Sequence, residues 1–75
     1  MLLKISTDAY IPVEKILIIS DYKSNQTKRM VSEAKKNGKI FNTCHAKKIK
    51  SEIILTDGMV VLSPYEAKTL TSKIN

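Results

Sequence analysis

Hydrophobic and polar positions in the first half of the chain fall into short stretches that predict strands. Residues 2–6 alternate toward their end, and residues 13–20 form a run rich in β-branched side chains. Both patterns are typical of strands, the second of a buried one. Residues 7–12 between them carry turn-forming residues, with Pro12 holding its neighbour extended. Residues 39–44 resume short strand character.

The hydrophobic period changes after residue 20 and predicts an amphipathic helix. Apolar or small residues recur at i, i+3, i+4 and i+7, which places them on one stripe: Thr27, Met30, Val31 and Ala34. Ser24 or Asn25 is expected to cap the start of this helix. Gly38 follows Asn37 where a left-handed residue usually ends a helix, so we expect the helix to stop there.

Residues 52–62 predict a β-hairpin, because two apolar runs flank the pair Asp57-Gly58. This pair favours a two-residue type I′ turn, which would place Leu55 opposite Val60 and Ile54 opposite Val61. Both faces of such a hairpin are apolar. A chain of 75 residues has little material to cover both, so we expect a second copy to cover one of them.

The end of the chain predicts a second helix with an explicit start signal. Ser63 is the expected N-cap, with Pro64 in the first turn and Glu66 completing a Ser-x-x-Glu capping box. One apolar stripe follows: Ala67, Leu70 and Ile74. The predicted order is β-β-α-β-β-β-α, an α+β fold with a mostly antiparallel sheet, in a single domain over residues 1–75.

The size of the chain leads to an expectation of self-assembly. A domain this small buries only about 60% of the surface of its unfolded chain, and small scaffolds usually need an additional stabilising device. Cys44 is the single cysteine, which excludes an internal disulfide, and one cysteine with one histidine is too few for a structural zinc site. We therefore expect a homo-oligomer, with these interface residues: Leu55, Met59, Val60, Val61 and Leu70.

The net charge of +6 changes the picture because of where it lies. Between residues 28 and 50, Glu33 is the single acid beside eight basic side chains: Lys28, Arg29, Lys35, Lys36, Lys39, Lys47, Lys48 and Lys50. Lys35 and Lys36 have a structural reason, since cations are favoured at the end of a helix. A basic run is in the ordinary case a solvated face, but its confinement to one segment favours an anionic partner.

Catalytic and metal chemistry find little support in the sequence. Adjacent residues on an extended chain diverge, so Cys44 and His45 are not expected to act together. Cys44 is predicted to be a small buried apolar residue and His45 a polar surface residue. We expect no enzyme activity, no cofactor, no metal and no small-molecule substrate. No apolar run approaches 18 residues, so no membrane partner is expected, and a lone cysteine fits the cytoplasm.

The segment "KKIK", residues 47–50, is the strongest candidate for binding. Lysine binds phosphate as a point charge and does not read bases. If the segment is extended, Lys48 and Lys50 share a face, and if it is a loop, Lys47 converges with them. No aromatic residue is interleaved for base stacking, which favours duplex DNA over a single strand. The alternative is a small interaction or inhibitor protein whose basic face binds an acidic protein.

Three stretches resemble the extracellular matrix regulator RemA family of small bacterial DNA-binding proteins: "TKRMVSEAKKNGKIFNTC", "HAKKIKSEIIL" and "VLSPYEAKTLTSKI". The resemblance implies a fold related to LytTR domains and a ring of subunits, with the octamer one candidate. It also implies transcriptional regulation of biofilm-matrix genes by a cytoplasmic, nucleoid-associated protein.

By this resemblance Lys47 and Lys48 match the family's basic pair for DNA binding, and Lys50 matches its third basic position. Lys28 and Arg29 are further expected DNA contacts. The chain departs from the family pattern in having lysine for arginine and His45-Ala46 for a Tyr-Gly pair. Loss of planar, bidentate donors weakens base-specific contacts and leaves phosphate binding intact.

Overall fold

A computed structural model describes residues 1–74, which form six strands and two helices. The strands are β1 (Leu2–Ser6), β2 (Ala9–Pro12), β3 (Ile16–Asp21), β4 (Ile40–Asn42), β5 (Ser51–Leu55) and β6 (Val60–Ser63). The helices are α1 (Lys28–Lys36) and α2 (Ala67–Ile74). Strands β1 and β2 form an antiparallel pair, and the other four form a sheet in the order β3-β5-β6-β4. Among the strands of residues 1–74, only β4 pairs in parallel, with β6, so the predicted mostly antiparallel α+β class is confirmed.

The N-terminal third differs from the prediction at two places. Residues 9–12, predicted as part of a turn, form strand β2 and pair with β1. Ile11 packs toward the core while Tyr10 is exposed, the alternation expected of a strand with one buried face. Residues 13–15 form a single 3-10 turn, so the predicted strand over 13–20 begins only at Ile16.

The hairpin forms where it was predicted, but the predicted register is wrong by one residue. The Leu55 N–H donates to the Met59 carbonyl at 2.8 Å, so the loop has three residues, 56–58. Gly58 has a φ of 90° and Asp57 lies outside the positive-φ region, whereas a type I′ turn needs positive φ at both. The register therefore pairs Ile54 with Val60, and Ile53 with Val61.

Both faces of the main sheet are covered within the one chain. On one face, α2 and the β1-β2 pair enclose a cluster: Leu3, Ile5, Ile53, Val61 and Leu70. On the other face, α1 and the segment after β4 enclose a second cluster: Ala34, Cys44, Ile54, Val60 and Leu62. The expectation that one chain cannot cover both faces is wrong, because the predicted strand β1 pairs with the unpredicted strand β2 and the two form a layer over one face.

The expected interface residues therefore sit mostly inside the subunit. Val60, Val61 and Leu70 are 0%, 2% and 0% exposed, and a neighbouring copy cannot contact them without unfolding. Leu55 and Met59 are partly buried against the first cluster. Self-assembly stays a prediction, now without the hairpin as its reason.

Helix ends follow the predicted pattern at one of three places. Gly38 has a φ of 68°, and the next residue, Lys39, donates its N–H to the Ala34 carbonyl at 2.8 Å, which confirms the left-handed end of α1. The predicted N-caps, Ser24 or Asn25, lie outside the helix, which begins after Thr27 with no side-chain cap.

Helix α2 begins at Ala67, three residues later than the predicted first turn at Pro64. Ser63 is the last residue of β6, and its hydroxyl donates to the Ile5 carbonyl and accepts the Tyr65 N–H. The bond to Tyr65 is one that an N-cap would accept, but residues 64–66 are not helical, so Ser63 stands four positions before the helix. The predicted Ser-x-x-Glu capping box is therefore wrong.

Candidate nucleic-acid interface

The basic segment is an irregular loop over residues 43–50 that is anchored at its start. Thr43 is buried and both its N–H and its hydroxyl donate to the Leu62 carbonyl, at 3.1 and 2.7 Å. The Cys44 N–H donates to the Asn42 side chain at 2.8 Å. The Lys47 N–H returns to the Cys44 carbonyl at 2.8 Å and closes a turn. The lysines thus project from a backbone whose first half is fixed.

Cys44 is buried and His45 is exposed, as predicted, although the chain turns at His45 and is not extended there. Cys44 is 1% exposed inside the second cluster, and burial raises the pKa of its thiol, which disfavours a reactive thiolate. His45 is exposed, has a φ of 55°, and places Nε2 3.2 Å from each carboxylate oxygen of Asp8. The hydrogen bond from His45 lowers the pKa of Asp8. This contact ties the loop to the β1-β2 turn and had no signal in the sequence, since the partners are 37 residues apart.

Lys47, Lys48 and Lys50 are all exposed, but they do not share one face. Ile49 is half-buried against the second cluster, so its neighbours Lys48 and Lys50 point to the opposite side of the backbone. The backbone is fixed at Lys50, whose N–H donates to the Ser63 carbonyl at 2.9 Å. The extended alternative therefore holds for residues 48–50, and Lys47 stands apart in the preceding turn.

Lys48 and Lys50 line a depression that we term the lysine notch. Its lining residues come from four parts of the chain: Asp21, Lys48, Lys50, Glu66 and Lys68. Ion pairs within residues 1–74 join Met1 to Glu14 and His45 to Asp8, so none of the notch lysines is paired there. Lys68 was missed as a candidate because only the docking of α2 brings it beside the loop.

The other two expected DNA contacts, Lys28 and Arg29, lie elsewhere. Both are exposed at the start of α1, and α1 packs on the opposite face of the sheet from α2. Lys28 lines a cleft whose wall includes Glu52, and Arg29 lines a groove with Leu17 and Met30. The structure does not bring either residue to the lysine notch.

The cleft beside Lys28 contains a buried polar chain. Glu52 is 2% exposed and accepts a hydrogen bond from the Thr27 hydroxyl at 3.4 Å. That hydroxyl lies 3.1 Å from the Ser20 hydroxyl, so Ser20 donates to Thr27 when Thr27 donates to Glu52. This chain fixes the start of α1 against β3 and β5. With its hydroxyl engaged by Ser20 and Glu52, Thr27 makes no capping hydrogen bond to α1.

Residues 1–74 contain no group of histidine, cysteine and acidic side chains arranged to hold a metal ion. None of the helices over the same residues is both long enough and apolar enough to cross a membrane.

Comparison with known proteins agrees with the resemblance seen in the sequence. Residues 2–74 match the family model "RemA-like: Extracellular matrix regulatory protein A-like". Relatives from Bacillus cytotoxicus, Bacillus mycoides and Bacillus cereus carry the name "Putative regulatory protein". Each is 29% identical over 65 residues, which is 87% of this chain and 75% of the relative. These names indicate a regulatory protein rather than an enzyme. Because the family model spans nearly the whole sequence, this chain belongs to the RemA-like family of regulatory proteins.

Proposed function

We propose that this protein regulates transcription by gripping the phosphates of duplex DNA through the basic loop. Lys47, Lys48 and Lys50 are the residues that we assign to the grip. The supporting observation is that all three are exposed on an anchored backbone and form no ion pair within residues 1–74. An ammonium group without an internal partner is free to neutralise a phosphate.

Tight binding to DNA requires the basic loops of several subunits. Three phosphate contacts give a slope of about −2.7 for log affinity against log salt, which is the range of weak, sequence-independent binding. A ring of copies would present the same loop repeatedly, and binding at one loop would raise the effective concentration of DNA at the next. We propose that the protein forms such a homo-oligomeric ring. The ring would bind the nucleoid in the cytoplasm and regulate genes of the biofilm-matrix type.

A pair of matched double variants tests the grip. Lys47→Ala/Lys48→Ala should abolish binding to duplexes of any sequence, measured by fluorescence anisotropy in about 0.1 M salt, while light scattering reports the parent's mass. Lys35→Ala/Lys36→Ala is the control, since it removes the same charge from the last turn of α1. The control should bind more tightly than the loop variant. Equal binding by the parent and the loop variant would place the grip elsewhere.

The duplex itself gives the second arm of the test. Affinity of the parent should rise steeply with DNA length until the duplex spans the assembly, because each added loop adds contacts. A parent protein that binds no duplex even at low salt, yet binds an acidic protein, would replace the DNA proposal with the alternative of an interaction protein.

A further inference from the structure

Lys68 lies beside the basic loop in three dimensions although it follows Lys50 by 18 positions in sequence. It lies in the first turn of α2, on the same side of the sheet as Lys48 and Lys50. Together these three lysines line the lysine notch, a depression of about 600 Å³. The fold thus adds a third ammonium group to the two that residues 48–50 direct there.

The position of Lys68 is unfavourable for the helix that carries it. The N-terminal end of a helix is electropositive and disfavours a cation. Lys73, by contrast, occupies the last turn of α2, where a cation is favoured, and its Nζ lies 4.9 Å from the centre of the Tyr65 ring. Lys68 is exposed and has no ion pair within residues 1–74. Stability of α2 therefore does not explain Lys68.

Two carboxylates line the same notch. Glu66 directly precedes α2, where an anion is favoured by the helix, so it has a structural reason. Asp21 ends β3 and is exposed, and its carboxylate lies in no ion pair among residues 1–74. The formal charge of the notch is then three positive and two negative, or +1. Asp21 lowers the attraction of the notch for an anion without neutralising any one lysine by contact.

We propose that the lysine notch holds neighbouring phosphates of the DNA backbone, with Lys68 contacting one beyond those bound by Lys48 and Lys50, and with Asp21 as an attenuator of affinity. The proposal rests on the proposed DNA-binding function. Lysine ammonium groups from two segments can reach successive phosphodiester groups of one strand. Asp21 repels these phosphates, so it weakens binding at every sequence equally and keeps DNA binding reversible.

The salt dependence of DNA binding tests the role of Lys68. Lys68→Gln should reduce the slope of log affinity against log salt by about 0.9 for each copy that contacts the duplex, because one phosphate contact is lost. Lys68→Arg should restore the slope. The matched control is Lys73→Gln, on the same helix outside the notch, which should leave the slope unchanged. Circular dichroism of all three variants should match the parent.

Asp21→Asn tests the attenuator. One repulsive unit charge about 8 Å from a phosphate in water changes affinity about twofold, so this variant should bind about twofold more tightly per contacting copy. Asp57→Asn removes the same charge in the loop between β5 and β6, outside the notch, and should leave affinity unchanged. A loss or no change of affinity in Asp21→Asn overturns the attenuator role.

The outcomes separate the notch from the DNA proposal as a whole. If Lys47→Ala/Lys48→Ala abolishes binding and Lys68→Gln keeps the parent's slope, the protein binds DNA and the notch inference is wrong. If Lys68→Gln lowers affinity at an unchanged slope, its effect is structural and the phosphate contact is again refuted. If the parent binds no duplex, the proposed DNA-binding function is wrong, and the notch proposal that rests on it is wrong as well.

Discussion

Replacing Val60 or Val61 by alanine should destabilise each subunit without changing its assembly. The two valines are adjacent in β6, are 0% and 2% exposed, and belong to the two separate clusters on opposite faces of the sheet. Removing two methyl groups costs about 1.6 kcal/mol of transfer free energy, and the residual cavity adds to it. We expect each variant to lose about 2–3 kcal/mol of the free energy of unfolding.

This loss is large for so small a domain. At about 0.05–0.15 kcal/mol per residue, a chain of 75 residues has about 4–11 kcal/mol in total. With a urea m-value of about 1 kcal/mol/M, the unfolding midpoint of each variant should fall by about 2–3 M. Urea titrations at one fixed protein concentration measure the shift, since any oligomer links stability to concentration. Leu2→Ala, at a residue 64% exposed, is the control and should change the midpoint little.

Two results would contradict the placement of these valines. A midpoint within about 0.5 M of the parent would mean that the side chain is not packed in the core. A variant could instead keep the parent's unfolding midpoint at high protein concentration and dissociate in light scattering. That result would place the valine at an interface between copies, as the hairpin pattern had suggested. The double variant should lose nearly the sum of the two single effects, because the side chains lie on opposite faces of the sheet.

Three further predictions each test a single feature of the fold or the loop. Cys44→Ser places a hydroxyl among apolar neighbours, so it should lower the free energy of unfolding, measured in urea, by about 1–3 kcal/mol. The variant should keep its DNA affinity below its melting temperature. Loss of affinity in the folded variant would show a functional cysteine. Gly38→Ala forces a φ of 68° on a residue with a Cβ and should lower the free energy of unfolding by about 1 kcal/mol. Gly38→Asn should lower it less. Equal stability of the parent and the two variants would contradict the left-handed cap. Because His45 lowers the pKa of Asp8, the contact contributes above the ordinary pKa of aspartate, about 4, and is lost as pH falls through the depressed value. The protection factors of the amides of residues 45–48, taken relative to the intrinsic exchange rate at each pH, should therefore fall at low pH in the parent, and Asp8→Asn should show the low protection at every pH.

The order of most elements was predictable because it depends on local patterns. Helix α1, its left-handed end at Gly38 and the hairpin around residue 57 all appear in the structure. Of the predicted stripe, Val31 and Ala34 pack in the second cluster and Thr27 is buried just before the helix, whereas Met30 is 38% exposed. Strand β2 was missed because it has only four residues and ends in Pro12, a residue more typical of turns. That omission had a consequence, since β1 and β2 supply the layer that covers one face of the main sheet.

The register of the hairpin was not predictable from its turn pair alone. Asp-Gly suits a two-residue type I′ turn and equally a three-residue loop with glycine in the left-handed position. The three-residue loop is consistent with two contacts that the local pattern does not contain: the Thr56 N–H donates to the Lys15 carbonyl at 2.8 Å, and the Asp57 side chain accepts the Met59 N–H at 3.0 Å. The first of these partners is distant in sequence.

The candidate site was likewise predictable from the sequence only in part. The exposed lysines of the loop follow from the charge pattern, and the extended geometry of residues 48–50 was one of the two alternatives that the sequence left open. Asp8 and Lys68 reach the site only through tertiary packing. The predicted helix start at Pro64 also concealed a signal, because it placed Lys68 beyond the first turn, where a lysine needs no explanation. The true start at Ala67 makes that lysine unfavourable for α2 and therefore informative.

A grip built from lysines on an anchored loop has a consequence for how this regulator would act. Lysine neutralises phosphate without reading base edges, so each subunit of the proposed ring contributes affinity that is nearly independent of sequence. Selection of a DNA site must then come from the arrangement of successive loops, which favours duplex segments whose phosphates follow the curvature of the assembly. Bent or readily bent duplexes should therefore compete more strongly than straight ones of equal length and charge. Equal competition by the two would place the selectivity in a partner protein instead of in the ring.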